Sequence, residues 1–251
     1  MPDNLDHADH VRPFVHEGLT SKALHFSICE IQSRMKLDDP TALDLEYTRT
    51  MMGFLLFQPD PRQIAMIGLG GGSMAKFCHR YLPGTRIQVV EINPHVIALR
   101  DEFHVPADDH RFRVIHGDGA QFVRYRSTRC DALLVDGFDS SGQPARLCTQ
   151  RFYDDCREML QPGGMLVVNL HYGHRHYDTL VERIGRSFDG AILVVDDGDS
   201  SNSIVFACKG HALDAVPGSV ARRPAGLDRA GAGQLQAAFA LVGRALKDRQ
   251  A

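Results

Sequence analysis

The chain has no tryptophan, no C-x-x-C pair and no apolar run near the roughly 18–20 residues that a membrane span requires. It also lacks an excess of either charge: 28 Lys+Arg face 31 Asp+Glu, a formal net charge of −3. Without a broad cationic field, nucleic-acid binding through phosphates is not expected, and membrane association is not expected either. The opening MPDNLDHADH has no charged-then-apolar leader pattern. The 6 cysteines (Cys29, Cys78, Cys130, Cys148, Cys156, Cys208) are scattered, and several fall in apolar segments where a free thiol behaves as a small hydrophobe. A reduced, cytoplasmic protein is the expectation. What is present, 251 residues of which 43% are hydrophobic, suffices for one α/β domain with a small appendage.

Residues 1–22 read as a polar lead-in. Ala23–Gln32 reads as one strand with a polar opposite face, and Asp38-Asp39-Pro40 as a turn. A helix over about Leu45–Leu56 follows, with Thr41 or Asp44 as cap. From Gln63 short apolar runs alternate with helical stretches. Ile64–Ile67, Ile87–Val90, Phe112–Ile115, Ala132–Val135 and Met165–Val168 read as strands buried on both faces. Crossover helices are expected after Gly72, Pro94, Gly119, Gln150 and Arg175. The runs Ala191–Val195 and Ser203–Cys208 are joined by so short a link that the last strand must run antiparallel. The expected fold is a Rossmann-like, doubly wound seven-stranded sheet of the methyltransferase type with a small N-terminal β-containing unit. The expected divisions are 1–61, a nucleoside-binding catalytic domain over 62–210, and 211–251 as linker and C-terminal helix, its helical core at Gly233–Leu246.

Gly68-Leu69-Gly70-Gly71-Gly72-Ser73 follows the first of these strands and opens a helix. Gly68, Gly70 and Gly72 permit a tight turn and a close backbone approach to a ligand. Glu91 ends the next strand, 91 − 68 = 23 residues on, near the spacing of about 20 at which an acid grips ribose hydroxyls. Gly117-Asp118-Gly119 ends the third. Asp118 alone reads as a helix cap, but with the other two features it reads as an acceptor for an adenine amino group, with Gly119 leaving room for the base. All three lie at the carboxyl ends of strands, where an open α/β sheet binds its ligand. The fourth strand ends in Asp136, with Asp139 three residues on, opposite the glycine loop. Two carboxylates there suit a cationic acceptor and its departing proton. For Asp139 an ordinary loop acid or cap stands equally open.

These residues, with Gln32-Ser33, Tyr47, Val90–Pro94, Phe152-Tyr153 and Leu160–Gly164, make the segment from about Leu24 to Lys209 resemble the spermidine synthase (polyamine aminopropyltransferase) family. The resemblance implies that Glu91 binds ribose, Asp118 meets adenine and Asp136 assists deprotonation of the attacking amine. It implies that Asp139, Gln32 and Tyr47 contribute to substrate binding. It further implies a homodimer, a small-molecule amine acceptor, and no tightly bound cofactor. Decarboxylated S-adenosylmethionine or S-adenosylmethionine would serve as co-substrate, with methylthioadenosine released from the former. Three positions depart from the family pattern, one of them Ser140, which follows Asp139 where the family's D-x-x-D loop usually has a proline. Gly71 stands where the family carries an aspartate that holds the donor amine, and the family's Tyr-His-Glu reads Tyr47-Thr48-Arg49. Removing one acid, and adding Arg49 if it lines the crevice, lowers the expected discrimination between the two donors to less than about tenfold. S-adenosylmethionine-dependent methyl transfer and non-catalytic adenosyl-nucleoside binding are the competing readings. His171, His174 and His176 are spaced for a metal, but no second ligand set accompanies them; contact with the acceptor is the favoured reading and no metal site is expected. Met51, Met52 and Met74 read as core fillers, Met74 also as a neighbour of adenine.

Overall fold

The computed structural model describes residues 10–27, 30–125, 129–139, 142–173, 175–196, 202–214 and 227–250. Three short strands come first, β1 (Phe14–Glu17), β2 (Ser21–Ser27) and β3 (Glu30–Lys36), forming an antiparallel sheet in that order. The expected single strand over Ala23–Gln32 is therefore two strands, and the supposed lead-in carries β1 and the start of β2. The reason is physical: β1 is largely exposed, so no buried periodicity marks it, and the β2–β3 pairing is irregular around His25. Cys29 lies outside the described residues.

Helix α1 (Glu46–Met51) continues as a 3₁₀ turn, Met52–Leu56. Its N-cap is Leu45, with no side-chain cap. Neither expected cap serves: Asp44 pairs with Arg34, and the Thr41 hydroxyl donates to Asp39 at 2.8 Å.

The large sheet holds β4 (Gln63–Ile67), β5 (Arg86–Glu91), β6 (Phe112–His116), β7 (Cys130–Val135), β8 (Leu160–His171), β9 (Ile192–Asp196) and β10 (Asn202–Cys208). Their order is β6-β5-β4-β7-β8-β10-β9, with β10 antiparallel to both neighbours. The expected doubly wound, seven-stranded topology is thus the observed one. Crossovers run through α2 (Ser73–Tyr81), the single turns α3 (Pro94–Ile97) and α4 (Gly119–Phe122), then α5 (Gln150–Met159) and α6 (Tyr177–Ser187). A terminal helix α7 (Arg229–Gln250) is longer than the sequence pattern suggested.

Apolar residues of the central strands alternate between two cores. Met66, Val89, Leu134 and Val167 face one side, where the β2–β3 hairpin, α1, α2 and α7 pack. Ala65, Leu133, Leu166 and Val168 face the other, against α5 and α6. Each fully buried Leu, Val or Phe contributes about 1.5–3 kcal/mol. The first core is shared by the N-terminal unit, the sheet and α7, which fixes the β2–β3 hairpin and α1 over the carboxyl ends of β4, β5 and β7. No helix among the described residues is long and apolar enough to cross a membrane.

Candidate active site

A cavity of about 1010 Å³ opens where β4 and β7 part, at the carboxyl edge of the sheet. That is the point at which strand order reverses. Its floor is the β4–α2 loop, and its roof comes from Phe26, Gln32 and Ser33 of the hairpin with Tyr47 and Thr48 of α1. Gln32, Tyr47, Gly68, Gly70, Glu91, Asp118, Gly119, Asp136 and Asp139 all line it. Of the residues singled out from sequence, Gly72 is not among the lining residues. Its φ of 69° caps α2, and a Cβ there would come 2.5 Å from Val105, so it serves packing.

Gly68 is demanded by the backbone. At φ 96°, a Cβ would lie 2.1 Å from the Asp136 carbonyl oxygen, so only glycine lets the loop pass across the end of β7. That close passage brings the loop beside the acid. Gly71 faces away from the cavity, and a Cβ there would meet Phe103 and Ser33, each at 2.8 Å.

Glu91 is buried, and its two oxygens accept from the backbone N–H groups of Leu69 and Asn93, both at 2.8 Å. Burial pushes its pKa above the usual carboxylate range despite the opposing pull of those N–H groups. Asp118 caps α4, accepting from the Ala120 N–H at 2.8 Å, and also faces the cavity. The cap reading is the observed one, and it leaves the residue on the cavity wall. Its second oxygen accepts from Arg146 Nη1 at 2.6 Å.

Asp136 sits half-buried at the end of β7. The Tyr47 hydroxyl donates to Oδ2 at 3.1 Å, and Asn169 Nδ2 donates to Oδ1 at 2.9 Å. Asn202 Nδ2 donates in turn to Asn169 Oδ1 at 2.9 Å, which fixes the Asn169 amide with its N–H toward the acid. Burial raises the Asp136 pKa, the two donors opposing it, and it raises that of Tyr47 well above 10.0, keeping the phenol protonated as a donor. Asp139 is exposed at the mouth, in a turn closed by reciprocal backbone hydrogen bonds with Gly142.

Sequence reasoning missed Asn169, Asn202 and Arg146. Their signal is weak because each acquires meaning only from a partner 28 or more positions away. Arg49 does not line the crevice. Its guanidinium donates to the Leu43 carbonyl at 3.0 Å and pairs with Glu46, so the expected cationic contribution is absent. Met74 lines the cavity, whereas Met51 and Met52 are core residues. His171 lines it too, His176 precedes α6, and His174 lies outside the described residues. Among the described residues no group of three or more His, Cys, Asp or Glu could hold a metal ion.

A polyamine aminopropyltransferase of Chromobacterium violaceum is 41% identical over 187 residues, covering 74% of this chain and 72% of that one. A crystal structure of spermidine synthase in complex with the transition state analogue AdoDATO superposes with a TM-score of 0.61 at 20% identity, covering 94% and 88%. Human methyltransferase-like protein 13, in complex with SAH, gives 0.62 at 20% identity over 81% and 93%. The two structures speak for the fold alone, which transferases of both kinds share. The sequence relationship speaks for more, since residues 44–182, from just ahead of Tyr47 through Asn169, match the spermine/spermidine synthase domain. By that match and by its identity to the curated relative, the chain belongs to the spermine/spermidine synthase family.

Proposed function

We propose that this protein transfers an aminopropyl group from decarboxylated S-adenosylmethionine to a small-molecule amine, releasing methylthioadenosine. The observation that carries the reading is the cavity's charge. Glu91, Asp118, Asp136 and Asp139 line it, against Arg146 as the one guanidinium among the described lining residues. Such a site suits a donor bearing a sulfonium and an ammonium, and an acceptor that arrives as an amine. In the reaction the amine lone pair attacks the methylene carbon attached to sulfur. The C–S bond breaks with its electron pair going to sulfur, which becomes a neutral thioether. The new ammonium loses a proton to Asp136. Since the sulfonium is already a good leaving group, the protein supplies alignment and proton acceptance. Tyr47 and Asn169 hold the carboxylate in place, each leaving lone pairs on the oxygen it contacts.

A reduced cytoplasmic setting and a homodimer complete the reading. Burial raises the thiol pKa of Cys78, Cys130, Cys156 and Cys208, consistent with unreactive thiols and no need for disulfides. The test is product analysis with both donors against diamines, agmatine and longer polyamines. Methylthioadenosine is the expected product. S-adenosylhomocysteine would instead establish methyl transfer, and neither product would leave a nucleoside-binding protein.

Glu91 is proposed to hold the ribose hydroxyls with the lone pairs left by Leu69 and Asn93. In a Glu91→Gln variant the new amide brings N–H groups toward donors, so charge-assisted bonds of about 1.5–3 kcal/mol each are weakened. Affinity for methylthioadenosine should fall about fivefold or more by calorimetry. An unchanged affinity in a folded variant would move the ribose elsewhere.

A further inference from the structure

We propose that Arg146 reads the base of the bound nucleoside, donating to adenine N1 while Asp118 accepts from the neighbouring exocyclic amine. This rests on the adenosyl-binding reading above. Arg146 lies in the 3₁₀ turn Ala145–Leu147, on the cavity wall, with Nη1 2.6 Å from Asp118 Oδ2. The pair is asymmetric. The acid's side chain is 7% exposed and held in the wall by the Ala120 N–H, whereas the side chain of Arg146, which also lines the cavity, is 58% exposed. Of its five N–H groups, one is committed among the described residues. A second donor stands in the same wall: Gln143 Nε2 is buried and has no hydrogen-bond partner among the described residues. A buried amide N–H without a partner is costly, so this wall is suited to a ligand that brings acceptors.

Asp118 alone presents only an acceptor, and matches any exocyclic amine. Asp118 with Arg146 presents an acceptor and a donor side by side. Adenine's outer edge carries the complement on adjacent atoms, a donor at N6 and an acceptor at N1. Each carboxylate oxygen accepts more than one hydrogen bond, so the amine joins Arg146 at Oδ2 without displacing it. The guanidinium's flat fork suits two in-plane partners, the carboxylate and the ring nitrogen.

The experiment compares methylthioadenosine with its 1-deaza analogue, in which N1 becomes C–H, by calorimetry on the full chain. The native protein is expected to bind the analogue about ten- to a hundredfold more weakly, the range for a lost charged hydrogen bond. Arg146→Met should bind methylthioadenosine more weakly by a similar factor and discriminate between the ligands by less than about threefold. Full discrimination in Arg146→Met would overturn the assignment. Equal weakening of both ligands would overturn it too, reducing Arg146 to a counter-ion for Asp118, as would tighter binding of both, which would make it a competitor. Arg146→Gln, which keeps one N–H donor, supplies the same comparison if the methionine variant does not fold, and should retain part of the discrimination. Absence of methylthioadenosine binding by the native protein would be a separate result, overturning the adenosyl reading itself.

Discussion

Asp136→Asn is expected to lower turnover by about 10²–10⁴-fold while leaving methylthioadenosine affinity within about twofold, because it removes a proton acceptor and little else. The geometry makes the substitution unusually clean. The new amide oxygen can keep the bond from Asn169 Nδ2, and its N–H₂ can face Tyr47, whose hydroxyl turns to accept. Burial raises the Asp136 pKa, so its protonated form is the one the fold favours. Whatever stability that preference contributes is present at low pH and lost as pH rises through the raised pKa. At neutral pH and above, an uncharged amide should therefore fold at least as stably as the native acid. A falling turnover with an equal or higher Tm would assign the loss to chemistry. The same shift predicts that activity falls on acidification at a higher pH than an ordinary carboxylate would give, and that the slow variant loses this limb. Turnover near the native value in Asp136→Asn would take the residue out of proton transfer and leave it a binding group.

The residues on which this prediction depends were unequally visible in the sequence. Strands buried on both faces announce themselves as apolar runs, and their carboxyl ends follow by counting. Glu91, Asp118 and Asp136 were legible for that reason: each is the first acid after such a run, and an α/β sheet places ligands at those ends. The β1–β3 sheet was not legible, since β1 buries almost nothing and its pairing partners carry no alternation that survives the irregular register. The groups that orient Asp136 were hidden for another reason. Asn169 lies within β8 and Asn202 begins β10, and neither type at either position suggests function until the antiparallel pairing sets the strands side by side. Arg49 shows the converse error. Its charge was visible, but the direction of its side chain was set by the Leu43 carbonyl and Glu46, beyond the reach of a linear reading.

That error bears on the donor, for which selection of decarboxylated over intact S-adenosylmethionine by about five- to twentyfold is now the expected result. The weak discrimination expected from sequence rested on Gly71 and Arg49, and neither faces the cavity. What faces it are four carboxylates, of which Asp118 is balanced by Arg146. The two donors differ by one carboxylate. Against an ionised Asp136 about 8 Å away, whose partners Tyr47 and Asn169 are neutral, that group is repelled by about 2 kcal/mol at an effective dielectric constant of about 20. The opposing influence is the amino end of α2, where Ser73, Met74 and Ala75 line the cavity; a helix end favours an anion by about 0.3–1 kcal/mol. Repulsion wins by roughly 1–1.7 kcal/mol, or about five- to twentyfold. Parallel titrations of the two donors test it, and the ratio should narrow with added salt because Asp139 is exposed. Grafting an acid by Gly71→Asp is not expected to sharpen the selection, since the side chain would run into Phe103 and Ser33 before reaching a ligand. A donor ratio below about threefold would mean that the α2 amino end holds the carboxylate against the acids around it. Preference for the intact donor would move the protein toward methyl transfer, with the same fold and the same ribose-binding acid serving a different leaving group.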